Sequence, residues 1–235
     1  MIVKAYLPRL LKISAFSFCA ALGILSYDKP VFFSLVQIAT LVTLTIICFR
    51  NINITGVCII LLFTQFAIDS FFTLMQNNLA YKLIAYGITA YVLYYLSGDI
   101  VQRIVVAFFV ATSCAEVYWA VTSYNAPNVF FYFYKAAIYM LCRFLLFYRA
   151  HFTTLKLKRR AKVTLLDNHL VKLHGHVALL QCAMILEYLI RHLTPLQPLL
   201  VYSIYEYVMH AYALVVLWYV ISDCINDKAR RILQA

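Results

Sequence analysis

Long apolar stretches fill most of the chain and are separated by short polar segments. A helix that crosses the hydrocarbon core of a membrane needs about 20 apolar residues, and windows of that length predict eight helices. They lie near Leu10–Tyr27, Pro30–Phe49, Ile54–Met75, Leu79–Leu96, Ile104–Thr122, Asn128–Phe147, Leu165–Leu193 and Pro198–Ser222. Residues 104–110 are apolar on every side, which favours helices over the alternating strands of a membrane barrel. We therefore predict an all-α, polytopic membrane bundle that forms a single domain over residues 1–235.

Lys and Arg residues are distributed unevenly between the two sides of the predicted bundle. The cytoplasmic loops of membrane proteins carry an excess of these residues. With eight crossings, most of them fall on the side of the two chain ends, and only Lys29, Lys82 and Arg191 fall on the other side. We therefore predict that the N- and C-termini are cytoplasmic. Seven crossings are the weaker interpretation, because a basic cluster would then change sides.

The composition agrees with a membrane protein and argues against a soluble enzyme. Hydrophobic residues make up 65% of the chain and charged residues 12%, and the mean hydropathy is +0.84. No loop is long enough for a catalytic domain, and no metalloprotease or nucleophile motif occurs, so we do not predict an enzyme. The seven cysteines are scattered singly, which predicts neither a zinc site nor a redox pair. Compact loops and these cysteines favour a bacterial inner membrane.

Positive charge is concentrated near one predicted loop and in the C-terminal segment. We interpret residues 149–163 as a basic cytoplasmic loop and residues 223–235 as a short basic cytoplasmic tail. Each cation near an anionic leaflet adds roughly 1 kcal/mol of attraction, so anionic lipids or a cytoplasmic partner are the expected ligands. Aromatic residues are sparse there, which makes nucleic acid a poor candidate. The proposed docking residues are Lys156, Lys158, Arg159, Arg160 and Lys162.

Ionisable residues inside the predicted spans are the candidate functional groups. Such residues are costly in a membrane and usually mark a function or a specific partner. They are Asp69, Glu116, Lys135, Arg143, His176, Glu187, Glu206 and His210. Four acids and Lys135 lie at a common depth, about 10 Å below the outer surface at 1.5 Å per residue. The pattern indicates a pathway for protons or cations, and the alternative is a set of interhelical hydrogen bonds that fixes the packing.

Three histidines add a minor alternative. His174, His176 and His210 lie in neighbouring predicted helices, where histidines can ligate haem or a transition metal. The sequence contains no second pair of histidines at a similar depth and no haem-attachment motif, so no cofactor is predicted.

The sequence as a whole favours an ion- or proton-conducting, channel-like protein that acts as an oligomer. One alternative is a membrane-anchoring or receptor-like subunit that docks a cytoplasmic partner through the basic loop. Another is a secondary transporter. Transporter folds often contain inverted repeats and helices broken by Gly or Pro, and neither feature is evident in this sequence.

Overall fold

The structure is a computed structural model. It describes the backbone except at residues 1, 28, 75–78, 97, 125–128, 159 and 235, and all remaining side chains except those of 2–5, 7, 30, 72–74, 79–82, 85, 157, 230 and 232–234. The span ends predicted at Met75 and Asn128, the side chain of Lys82 and all of Arg159 lie outside the described residues.

Within that part of the chain there are eight α-helices and no strand, so the predicted all-α fold is confirmed. The helices are α1 (Ile2–Ser26), α2 (Pro30–Ile47), α3 (Ile52–Leu74), α4 (Leu79–Tyr95), α5 (Ile100–Val121), α6 (Phe130–Leu157), α7 (Leu165–Leu193) and α8 (Leu200–Gln234).

Among the described residues, six helices are long and apolar enough to cross a membrane, namely α1, α3, α5, α6, α7 and α8. Helix α2 is shorter, at 18 residues, which corresponds to about 27 Å against a hydrocarbon core of about 30 Å. Helix α4 has 17 residues. The six long apolar helices support an integral membrane protein. Eight crossings, cytoplasmic termini and the bacterial inner membrane stay predictions.

Two helices continue beyond the C-terminal ends of the apolar windows that predicted them, and α1 begins at Ile2, ahead of its predicted start at Leu10. Helix α6 reaches Leu157, well into the segment 149–163, and α8 covers nearly all of the segment 223–235. Only residues 158–164 separate α6 from α7. Hydropathy indicates which part of a helix is apolar enough to lie in lipid, but it does not indicate where the helix ends. Lys, Arg, Ala, Leu and Gln are good helix formers, so both helices continue into these polar segments.

The chain divides into two compact units. Unit 1 comprises Met1–Gln65, Leu146–Leu170 and Val208–Ala235, and unit 2 comprises Phe66–Leu145 and Val171–Tyr207. Helices α3, α6, α7 and α8 contribute residues to both units. The assignment of the whole chain to one membrane domain stays a prediction.

Unit 1 contains a disulfide between Cys48, at the end of α2, and Cys224 of α8, with a Cα–Cα distance of 6.6 Å. The sequence, in which the cysteines occur as single residues, did not predict this bond. Cys48 and Cys224 are 176 positions apart, so no local spacing could have indicated the bond. In the same unit, Phe16 of α1 meets Trp218 of α8 edge to face, with 5.5 Å between ring centroids.

Unit 2 has an aromatic core. Phe71 of α3 stacks on Tyr134 of α6, with 3.6 Å between ring centroids. Trp119 of α5 meets Tyr188 of α7 edge to face at 5.8 Å. Phe133 of α6 is buried in the same cluster as Trp119 and Tyr188. Large rings that interlock from several helices fix the positions of the polar side chains between them.

Candidate functional site

Lys135 of α6 is held by groups from three helices of unit 2. Its ammonium donates a hydrogen bond to the hydroxyl of Tyr205 of α8 at 3.4 Å. It also lies 4.2 Å from the centroid of the Phe131 ring. The carboxylate of Asp69 in α3 interacts with it electrostatically. A cation and an anion from different helices therefore share one environment, together with a hydroxyl and an aromatic face.

The polar contacts continue from Tyr205 into α7. The hydroxyl of Tyr205 donates to the side-chain oxygen of Gln181 at 2.8 Å, and Gln181 is fully buried. Tyr139 of α6 interacts with Asp69, and its ring centroid lies 6.0 Å from that of the fully buried His174. We call this set the Lys135 cluster. Its members are Asp69, Lys135, Tyr139, His174, Gln181 and Tyr205.

Glu116 of α5 forms a second polar group in unit 2. Its carboxylate lies beside the hydroxyl of Tyr86 of α4 and interacts electrostatically with Tyr188 of α7. Thr112 and Trp119 are four residues before and three residues after Glu116, so they share its face of α5. Both are buried, and neither the hydroxyl of Thr112 nor the indole N–H of Trp119 has a partner among the described residues.

Glu187 of α7 caps the first turn of α8. Its carboxylate accepts hydrogen bonds from the backbone N–H groups of Val201 at 2.6 Å and Tyr202 at 3.1 Å. The first four N–H groups of a helix have no partner within the helix, and a negative charge is favourable at this end of the helix dipole. These contacts account for a carboxylate that is only 5% exposed.

Arg143 of α6 is engaged with the start of α5. Its guanidinium forms an ion pair with Asp99, the residue that precedes α5. The guanidinium also lies against Gly175 of α7, where a Cβ atom would be 3.6 Å from its central carbon. Sequence analysis did not single out Asp99, because a carboxylate in a short loop between helices is ordinary.

The other predicted pathway residues have different surroundings. Glu206 of α8 and His176 of α7 are exposed, so the structure does not bury them with the Lys135 cluster. His210 belongs to unit 1, where its Nε2 lies 2.8 Å from the carbonyl oxygen of Gly23, near the end of α1. Within the described residues, no group of three or more His, Cys, Asp or Glu side chains is arranged to hold a metal ion.

Arg149 of α6 is buried at the centre of a polar node in unit 1. Its guanidinium donates two hydrogen bonds of 2.7 Å to the carboxylate of Asp167 in α7. It also donates to the side-chain oxygen of Asn53 in α3 at 3.3 Å and to the carbonyl oxygen of Lys162 at 2.8 Å. Asp167 in turn accepts from the N–H and the hydroxyl of Thr164 at 2.7 and 2.9 Å.

The node fixes the segment between α6 and α7. Lys162 is held on both sides of its backbone, because its N–H also donates to Asn53 at 3.0 Å. The Thr164–Asp167 contacts form a capping box at the start of α7. The cationic side chains near the node are exposed, namely those of Lys156, Lys158, Arg160 and Lys162.

No protein-family model matches the sequence, and no curated protein or solved structure matches it either.

Three residues that complete these sites carry no charge, and sequence reasoning therefore missed them. They are Asn53, Gln181 and Tyr205. A signal for Gln181 does exist, because it follows His174 by seven residues and so lies on the same face of α7 two turns later. Asn53 and Tyr205 stand among many similar residues, and only their contacts distinguish them.

Proposed function

We propose that this protein is a channel-like membrane protein that conducts protons, with Lys135 and Asp69 as its proton-binding pair. One observation carries the proposal: an ammonium group and a carboxylate from different helices interact beside a partly buried tyrosine hydroxyl that is held by Gln181. Helices α3, α6, α7 and α8, which supply these groups, are all long and apolar enough to cross a membrane.

The pair can exist in two states that differ by the position of one proton. Lys135 transfers its proton to Asp69, so that an ammonium and a carboxylate become a neutral amine and a neutral acid. Removing two charges from water is costly, while their attraction is strong in a low dielectric. A relay site needs these opposing terms to leave the ionic and neutral states close in free energy.

Tyr205 has a defined place in this scheme. Its hydroxyl donates to Gln181, so its oxygen presents lone pairs to the ammonium of Lys135. Gln181 therefore orients the hydroxyl. This fixed acceptor keeps the amine of Lys135 in place in both protonation states.

The proposed pathway contains fewer of the charged residues than the sequence analysis predicted. Glu187 is engaged as a helix cap and Arg143 as the partner of Asp99. Glu206 and His176 are exposed. Asp69, Lys135 and Glu116 remain the charged candidates for moving protons in unit 2.

Proton flux in liposomes that contain the full chain tests the proposal. A pH-sensitive dye inside the vesicles reports flux driven by a pH gradient. We expect the wild-type protein to conduct and the Lys135→Met and Asp69→Asn variants to lose at least nine-tenths of the flux. Glu206→Gln is the matched control, because it also neutralises a charge in a long apolar helix but at an exposed position.

A double variant separates conduction from packing. Removing one partner of an ion pair leaves the other charge uncompensated, which destabilises the protein. The double variant Asp69→Asn/Lys135→Met removes both charges and should recover thermal stability without recovering flux. A wild-type protein that passes no protons in either direction of the gradient, or a Lys135→Met variant that conducts normally, would overturn the proposal.

Other expectations stay predictions. They are the oligomeric state, the role as an anchoring subunit and the secondary-transporter alternative.

A further inference from the structure

We propose that residues 158 and 160–164, between α6 and α7, form a preformed binding site for the phosphate groups of anionic membrane lipids. The occupant is a lipid headgroup with a net negative charge, such as phosphatidylglycerol. The charged contacts come from Lys158, Arg160 and Lys162, all of which are exposed. The proposal is independent of proton conduction, because these residues lie in unit 1 and the Lys135 cluster lies in unit 2.

The position of the segment favours a lipid over a soluble partner. It joins two stretches that are long and apolar enough to cross a membrane, Phe130–Lys156 and Leu165–Leu193. A connection of this length between two such stretches lies at the membrane surface, where anionic lipids attract Lys and Arg. Exposed apolar side chains flank the cations on both sides, namely Leu155, Val163 and Leu165. Cations beside exposed apolar groups are typical of an interfacial site.

The backbone of Lys162 is held on both sides by side chains of unit 1. Asn53 accepts a hydrogen bond from the N–H of Lys162, and Arg149 donates one to its carbonyl oxygen. Arg149 is itself held by Asp167. Lys162 therefore projects from a fixed backbone, which lowers the entropy lost when a phosphate binds beside it. Arg149, Asn53 and Asp167 are positioning residues.

Lys158 is a charged residue in a backbone conformation that usually favours glycine. It directly follows α6 and has a φ angle of 51°. Helices often end with a residue in this left-handed conformation, and that residue is usually Gly because it has no Cβ atom. A lysine in this left-handed conformation carries backbone strain, which a glycine at the same position would relieve.

Native mass spectrometry of the full chain in detergent tests the site, with phosphatidylglycerol and phosphatidylcholine as probes. We expect the wild-type protein to bind phosphatidylglycerol in preference. Removing the three loop cations should weaken that binding roughly tenfold or more, because each contributes to the attraction. The matched control removes three exposed cations elsewhere and should leave the preference unchanged. The loop variant is Lys158→Gln/Arg160→Gln/Lys162→Gln, and the control is Arg103→Gln/Lys172→Gln/Lys228→Gln.

Two single variants test whether the site is preformed. Asn53→Ala removes no charge but releases the backbone N–H of Lys162, and we expect weaker phosphatidylglycerol binding. Lys158→Gly suits the backbone better but removes a cation, so thermal stability should be retained or raised while lipid binding falls. Equal losses in the loop and control variants would overturn the site in favour of diffuse charge attraction. Unchanged binding in Asn53→Ala would overturn its preformed character.

Discussion

Arg149 of α6 and Asp167 of α7 form a bidentate ion pair that is closed to solvent. Two hydrogen bonds of 2.7 Å join the guanidinium and the carboxylate, and their side chains are only 2% and 3% exposed. Both oxygens of Asp167 are used, and the remaining donors of Arg149 reach Asn53 and Lys162. A buried pair of this kind is tolerable because nearly all of its hydrogen-bonding capacity is satisfied.

Breaking this pair should strongly destabilise the protein. Asp167→Asn and Arg149→Ala each leave a buried charge without its partner, at a cost of about 3–5 kcal/mol. Arg149→Lys should also be destabilising, since an ammonium cannot make the two parallel hydrogen bonds of a guanidinium. The midpoint of thermal unfolding in detergent measures the effect. An Arg149→Lys variant as stable as the wild type would show that the bidentate geometry is unimportant.

Loss of the cap on α8 should affect the first turn of this helix and not the rest of it. Glu187→Ala removes the acceptor for the N–H groups of Val201 and Tyr202, and loss of a helix cap costs about 0.5–2 kcal/mol. Hydrogen exchange at those two amides should become faster, while the middle of α8 stays protected. Glu206→Ala, at an exposed position of the same helix, should leave that exchange unchanged. Unaltered exchange in Glu187→Ala would mean that other groups cap the helix.

The helices could be predicted from the sequence because lipid demands long apolar stretches, and α7 has its predicted bounds of Leu165–Leu193. The ends of α6 and α8 could not, because these helices continue into polar sequence where hydropathy gives no signal. Pro8 lies inside α1, although proline generally favours the first turn or the outside of a helix.

The candidate site was predictable only as a list of charged residues. Counting residues from the predicted helix ends placed Asp69, Lys135 and Glu187 at the same depth in the membrane. This estimate could not distinguish a carboxylate that faces a cation from one that caps a helix. That distinction depends on which backbone groups lie opposite the side chain. For Glu187 they are the first amides of α8, which follow it after a turn of the chain.

His210 gives a prediction that separates packing from hydrogen bonding. Its ring lies 4.1 Å from that of Phe33, measured between centroids, and its Nε2 is 2.8 Å from the carbonyl oxygen of Gly23. His210→Phe keeps a ring but loses the hydrogen bond, so we expect a loss of about 1 kcal/mol in the free energy of unfolding. His210→Ala should cost more because the ring contacts are lost as well. His176→Ala, at an exposed position, is the control, and a His210→Phe variant with wild-type stability would argue against the hydrogen bond.

The disulfide between Cys48 and Cys224 gives a prediction about both the covalent structure and the compartment. The chain has seven cysteines, of which Cys19, Cys58, Cys114, Cys142 and Cys182 are not disulfide-bonded. Denaturation and alkylation without a reductant should therefore add five labels by mass, and prior reduction should raise the number to seven. In Cys48→Ser the partner thiol is released, so all six remaining cysteines should react without reduction.

Seven labels on the unreduced wild type would mean that the bond does not form in the cell, as expected for a reducing cytoplasm. Five labels would instead argue that this end of α2 and α8 is exposed to an oxidising compartment during assembly, against the orientation that the Lys and Arg distribution predicts.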